Sequence, residues 1–330
     1  MSEKIGICIA GYGGFAKKQL HPRLLKIEDC EVRKLYHPDP AKASEYGALG
    51  SSNLEELLAD ESVRAFVIAS PNDKHYELLY PLLQAKKHHI FVEKPLVDTL
   101  MDLESLRRFV VNYPKVFMVG HCQRREAVYR KAKEMLSDGR IGKPVSVDFN
   151  ISSGKAFDMK EGDWRTSRKR TPLGPLAMVG SHCIDTIHYL FGRVTSVFAK
   201  FDKVSGKTDS PDSSFVMMNL EAGVTAILQC HYSVPREKYC FISGTEGAIY
   251  IKGDKIFLRS GREKYKDPPT ESQEWHTFKN DPIDEELREF IGAIRDGSIE
   301  VETGYREGEA VMRVMDACRI SSEESKLIPV

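Results

Sequence analysis

Residues 4–16 run an apolar strand straight into a glycine turn. Ile5, Ile7 and Ile9, with Cys8 between them, are followed at once by Gly11-Tyr12-Gly13-Gly14-Phe15-Ala16, in the G-x-G-x-x-G/A spacing. A short, continuous apolar run marks a strand buried on both faces, as in a parallel sheet. Gly11 and Gly13 let the backbone turn tightly and approach a pyrophosphate. The small Ala16 lets the next helix pack against the strand. That helix presents free N–H groups and the positive end of its dipole to the phosphates. Phe15, Leu20, Leu24 and Leu25 recur at roughly helical spacing, so a helix is expected after the turn. A glycine turn alone is a weak signal; between a strand and a helix it points to a dinucleotide.

The first third of the chain repeats this alternation. Strands are expected at 31–36, 65–69, 89–92 and 116–119. Helices are expected at 40–46, 54–59, 76–86 and 101–111. Alternating strands and helices with short connections predict a doubly wound parallel sheet, ending near Gly120. After a helix at 124–136 the texture changes. Strands at 145–151, 194–201, 214–220, 224–232, 239–243, 248–251 and 256–259 follow one another through turns such as Glu221-Ala222-Gly223 and Gly253-Asp254. This suits a large, mostly antiparallel open sheet. Helices are expected at 176–190, 283–295 and 307–321. The chain thus reads as α/β: a Rossmann domain at 1–120 and a second α/β domain at 121–330, with the last helix a candidate to return toward the first.

With 48 Lys plus Arg against 48 Asp plus Glu, no basic field argues for nucleic acid. Seven scattered cysteines without a C-x-x-C pair read as reduced thiols, and no zinc site is suggested. The opening apolar run is too short for a signal peptide and no stretch approaches membrane-spanning length, which makes a soluble cytoplasmic protein the expectation.

Ligands of an open α/β sheet bind beyond the carboxyl ends of its strands. Besides the glycine turn, two loops lie there: Ser70-Pro71-Asn72-Asp73-Lys74-His75 and Glu93-Lys94-Pro95. On spacing alone, Glu93 and Lys94 read equally well as a solvated ion pair in a turn or as a lysine within reach of a cofactor's reactive ring.

These motifs together resemble the signature of the glucose–fructose oxidoreductase/inositol dehydrogenase/MocA family. The resemblance continues through Gly120-His121-Cys122-Gln123-Arg124, Asp163-Trp164-Arg165, Gly180-Ser181-His182-Cys183-Ile184-Asp185 and the tail Val314–Ser321, so it spans essentially the whole chain. It implies NAD(P)-dependent oxidation or reduction of a sugar, cyclitol or similar polyol, and self-association through the open sheet as a dimer or tetramer. Gly11–Ala16, His37, Ser70, Pro71, Asn72, His75, Glu93, Lys94 and Cys122 are then the candidate cofactor residues. Lys94 matches the family lysine that contacts nicotinamide ribose and the reacting oxygen, and His182 matches its general acid/base. Histidine has the unperturbed pKa of a proton shuttle near neutrality. Trp164, Arg165 and Asp185 are the candidate substrate residues. Arg165 is suited to a carboxylate or to sugar hydroxyls, and Trp164 to the face of a sugar or of nicotinamide. Asp185, three residues after His182, shares its helix face and either orients it, binds substrate or stabilises the helix start.

Two positions depart from the family pattern. Met178 stands four residues before the histidine, where many members carry aspartate or asparagine, and a thioether cannot orient an imidazole strongly. His37 stands at the second strand's end, where an acid commonly binds the ribose 2′-OH of NAD and repels the 2′-phosphate of NADP; its replacement leans the choice toward NADP, although Asp39 is near enough to substitute. Met178 also leaves open a dinucleotide- or sugar-sensing protein that has lost catalysis. An NAD-dependent glycoside hydrolase is a further alternative.

Overall fold

β1 (Ile5–Ala10) is buried along its whole length. In the computed structural model, which describes residues 3–160, 162–261 and 275–330, it lies at the centre of a parallel sheet with β2 (Cys30–Tyr36), β3 (Gly50–Ser51), β4 (Ala65–Ile68), β5 (His89–Glu93) and β6 (Phe117–Gly120). The order is β3-β2-β1-β4-β5-β6, so the winding direction reverses between β1 and β4, where a doubly wound sheet opens its crevice. Registers align the strand ends: Ala10 pairs with Tyr36 and Ile68, Val92 with Ile68, and Glu93 with Gly120.

One face of this sheet, carrying Ile5, Ile7, Ile9, Val67 and Phe91, packs against Leu20 and Leu24 and against Leu287, Phe290, Ile291 and Ile294. The last four lie on the helix Pro282–Asp296, and the Phe290 ring meets Phe91 edge-on at 5.8 Å. The first compact unit is therefore not contiguous in sequence. One compact unit comprises the residues up to Cys122 together with Asp281–Met312, and the other comprises Gln123–Asn280 with Arg313–Val330. The physical reason is that β1 and β5 need an apolar cover on this face, and an amphipathic helix from the far end of the chain supplies it.

The second unit holds β7 (Pro144–Ser152), β8 (Val194–Asp202), β9 (Ser213–Leu220), β10 (Thr225–His231), β11 (Glu237–Gly244), β12 (Gly247–Lys252), β13 (Lys255–Ser260), β14 (His276–Thr277) and β15 (Ile328–Pro329). They form a nine-stranded sheet in the order β14-β13-β12-β11-β7-β10-β9-β8-β15. It is antiparallel except where β7 pairs parallel with β10. The expected turns close hairpins, with Gly223 and Gly253 at positive φ of 72° and 61°. Side chains alternate as a half-covered sheet requires: Val197, Val216, Met218, Leu228 and Ile242 are buried, while Phe198, Phe215, Met217, Ile227 and Phe241 point outward. The helix Ser181–Phe191 buries Cys183, Ile184, Ile187 and Leu190. It follows a wide π-type turn at Leu176–Gly180, and a Cβ on Gly180 would stand 2.8 Å from Cys230 Sγ of β10, so glycine permits this close approach. Among the described residues no helix is long and apolar enough to cross a membrane.

Candidate active site

In the first unit, the expected cofactor residues lie along the carboxyl edge of the parallel sheet. Gly11 follows β1 at φ +89°, and a Cβ there would stand 2.3 Å from the Ser70 nitrogen. Only glycine lets these two strand ends abut. Gly13 and Gly14 differ: a Cβ on either would meet nothing within 4 Å. Packing does not require glycine at these two positions; they leave bare, accessible backbone at the turn. Lys17 N donates to Gly13 O at 2.9 Å and Ala16 is fully buried, so the helical segment that begins here seats on the sheet as the small residue predicts. Phe15 is exposed. Tyr12 is held beside the turn: its hydroxyl shares a 2.5 Å hydrogen bond with His21 Nδ1, and its ring meets Tyr46 edge-on at 5.3 Å.

At the end of β2, Asp39 N donates to His37 Nδ1 at 3.0 Å. A neutral His37 therefore carries its proton on Nε2. Asp39 caps the helix Pro40–Ser44, accepting from Ala41 N at 2.9 Å. Its carboxylate is thus engaged locally.

His75 is fully buried, with Nδ1 2.9 Å from Pro95 O and Nε2 3.1 Å from Ser70 O. It ties the loop after β4 to the loop after β5. Burial lowers its pKa, with the backbone carbonyls opposing. Glu93 is buried beside Gly120, where a Cβ would come within 3.3 Å of its Oε1, and that oxygen has no partner. Burial pushes its carboxyl up to about 7, against the adjacent Lys94 charge. Lys94 follows, half-buried. Ser70, Pro71 and Cys122 are half-buried, and Asn72 is buried in the short turn after Pro71.

In the second unit, His182 sits half-buried in the first turn of the helix Ser181–Phe191, with Met178 half-buried in the preceding π-type turn. Asp185 is fully buried and makes a two-pronged ion pair with Arg124: Nε–Oδ2 at 2.8 Å and Nη2–Oδ1 at 2.5 Å. This pairing with Arg124 is not among the roles expected for Asp185 from the sequence; it ties the helix to the residue that ends the Gly120–Arg124 motif. Gln123 adds to this grip, its Nε2 donating to Thr186 Oγ1 at 3.1 Å. Arg124 was within reach of the sequence analysis as the last residue of the Gly120–Arg124 motif, but its partner lies 61 positions on.

Trp164 and Arg165 form a short 3₁₀ turn capped by Asp163, whose Oδ1 accepts from Arg165 N at 3.0 Å. The Arg165 guanidinium lies over the Trp164 ring, 4.4 Å from its centroid, and that of Arg170 lies at 5.5 Å.

Comparison with known proteins agrees with both units. The family model described as an oxidoreductase family with an NAD-binding Rossmann fold matches residues 5–121, and the GFO/IDH/MocA C-terminal domain matches residues 129–250. The chain is 24% identical to the D-apiose dehydrogenase of Paraburkholderia graminis, over 97% of this chain and 88% of that one. It is also 24% identical to the NADP-dependent scyllo-inositol 2-dehydrogenase of Bacillus subtilis, over 99% and 96%. In fold it superposes on levoglucosan dehydrogenase, solved with NADH and levoglucosan, with a TM-score of 0.86 at 20% identity, covering 99% of this chain and all of that one (100%).

Proposed function

The chain belongs to the Gfo/Idh/MocA family of NAD(P)-dependent oxidoreductases, and from that premise we propose that it moves a hydride between nicotinamide and a secondary alcohol or ketone of a sugar, sugar acid or cyclitol. The observation that carries this reading is the open backbone at Gly13 and Gly14, on the same sheet edge as Lys94. A side chain there would fill the cradle that a pyrophosphate needs. Gly11–Ala16, Ser70–Asn72 and Glu93–Lys94 would hold the dinucleotide, whose nicotinamide supplies the hydride acceptor or donor when bound. Lys94 stabilises the negative charge that develops on the substrate oxygen, and His182 takes or returns the hydroxyl proton. Arg124 and Asp185 hold the helix that carries His182. Trp164 and Arg165 receive the substrate.

His37 favours NADP. Asp39, two residues on, has its carboxylate engaged as the cap of its own helix, and position 37 itself carries no acid to repel a 2′-phosphate. Among the relatives, one is named for NADP and another was solved with NADH. Absorbance at the nicotinamide band, followed over a panel of sugars, sugar acids and cyclitols, is expected to show turnover with NADP preferred over NAD. His37→Asp is expected to lower kcat/KM for NADP by about tenfold, the equivalent of ~1.4 kcal/mol of charge repulsion. Dinucleotide binding without turnover on any polyol would return the sensing reading that Met178 favours. Product release without net cofactor reduction would return the hydrolase.

The outward row Phe198, Phe215, Met217, Ile227 and Phe241 on the nine-stranded sheet supports self-association through that face. Sedimentation is expected to give a dimer or tetramer, and Phe215→Asp to shift it toward monomer. Seven unbridged cysteines fit a reducing cytoplasm.

A further inference from the structure

We propose that Lys17 is the residue that reads the cofactor's 2′-phosphate, so that NADP is selected by a positive charge as well as by the missing acid at position 37; this rests on the dinucleotide reading above. Lys17 stands at the start of the segment Ala16–Leu20, where the chain leaves the glycine turn. Its ammonium lies over two rings, 5.4 Å from the centroid of Tyr12 and 5.6 Å from that of Tyr46. Tyr12 belongs to the glycine turn, whereas Tyr46 lies beyond β2, between the helix Pro40–Ser44 and β3. The backbone holds these pieces together. Gly11 N donates to Tyr36 O at the end of β2 at 3.2 Å, and His37 N donates to Ser51 O of β3 at 3.1 Å. The ammonium is thus set between the two stretches of chain that flank the adenosine ribose in a Rossmann unit.

The placement is built from side chains that fix one another. The Tyr12 and Tyr46 rings meet edge-on at 5.3 Å, and the Tyr12 hydroxyl is held on His21 Nδ1 at 2.5 Å. Burial raises the Tyr12 phenol and lowers the His21 imidazole. Near neutrality both are uncharged, the tyrosine donating and the imidazole accepting, so Lys17 carries the charge of this group. Two ring faces restrain a side chain that would otherwise swing through many rotamers. Among the described residues Lys17 makes no ion pair, so its charge is not already spent on a carboxylate. Lys17 is also exposed, and a ligand can reach it.

A phosphate monoester carries close to two negative charges near neutral pH, whereas the ribose 2′-hydroxyl of NAD carries none. One ammonium therefore separates the two cofactors. Lysine suits the task, because its compact charge and three donors meet phosphate oxygens from any direction. His37 adds a neutral donor at the end of β2: its Nδ1 accepts from Asp39 N, which leaves the proton on Nε2. The pyrophosphate is the rival claimant for an ammonium beside a glycine turn. It already has the bare backbone of Gly13 and Gly14, and the Tyr46 contact draws Lys17 toward the chain beyond β2 instead.

Calorimetric titration with adenosine 2′,5′-bisphosphate and with 5′-AMP tests the site without any turnover. The bisphosphate is expected to bind at least tenfold more tightly. Lys17→Met is expected to bring that ratio close to one, and Lys17→Arg to keep most of it. Lys18→Met, at the next exposed lysine, should leave the ratio in place. The thermal midpoint of Lys17→Met is expected to match that of the parent; should it fall, Lys17→Gln is titrated in its stead. Loss of affinity for both nucleotides by the same factor would put the ammonium on the 5′-phosphate and overturn the proposal. Equal binding of the two by the parent protein would overturn it too, as would a ratio lost in Lys42→Met and kept in Lys17→Met. The ratio is then read a second time, as kcat/KM for NADP over NAD with a polyol substrate. A bisphosphate preference that depends on Lys17, in a protein that turns over no sugar, sugar acid or cyclitol, would uphold the site while the dehydrogenase reading falls. Equal turnover with NAD and NADP would overturn the site and leave the dehydrogenase standing.

Discussion

Lys94→Met is expected to lower kcat by about 10²–10³-fold, the range measured when one preorganised donor to a developing oxyanion is removed. Dinucleotide affinity should change far less, because the glycine turn and the loop after β4 remain intact. The loss belongs in kcat because the ammonium matters most when negative charge appears on the substrate oxygen. His182→Ala should cost a comparable 10²–10⁴-fold by removing the proton acceptor. Single-turnover absorbance with saturating cofactor separates these losses from binding, and a fall in kcat of less than tenfold for Lys94→Met would remove the lysine from its assigned role.

Asp185→Ala is expected to destabilise the protein by about 3–5 kcal/mol, because it breaks a buried, two-pronged ion pair with Arg124. The side chains of Arg124 and Asp185 are 7% and 1% exposed, so solvent screens little of the attraction that is lost. Urea unfolding followed by circular dichroism measures the loss. Asp185→Asn keeps the shape and removes only the charge. If Asp185 instead gripped substrate, that variant would raise KM and leave the unfolding midpoint in place; the ion pair requires the midpoint to fall.

The contrast between these two residues shows what the sequence could and could not reveal. Lys94 was legible because strand, loop and motif are contiguous, and the strand end that carries it is defined by Ile90, Phe91 and Val92 alone. Asp185 was placed correctly on its helix, but its partner is set by how Arg124 enters that helix's surface, and local spacing carries no trace of it. His75 was legible as part of a motif, but only the fold shows both ring nitrogens facing main-chain carbonyls. In the nine-stranded sheet, alternation and turn residues marked the hairpins from β9 to β10 and from β12 to β13. The parallel pairing of β7 with β10 had no such mark, because adjacency of distant strands depends on the whole topology.

The helix Pro282–Asp296 also bears on how the protein is made. Chain synthesis delivers β1 to β6 within the first 120 residues, yet Ile7, Ile9 and Phe91 await Leu287, Phe290 and Ile294 for their cover. On the ribosome this apolar face stays open while some 160 further residues emerge, an interval in which nascent chains are prone to stick to one another. Translation cannot finish the nucleotide-binding unit first and the remainder afterwards; both close together, near the end. Anyone excising residues 1–122 as a portable dinucleotide module would be transplanting a sheet without one of its walls, and a graft should bring Asp281–Met312 with it.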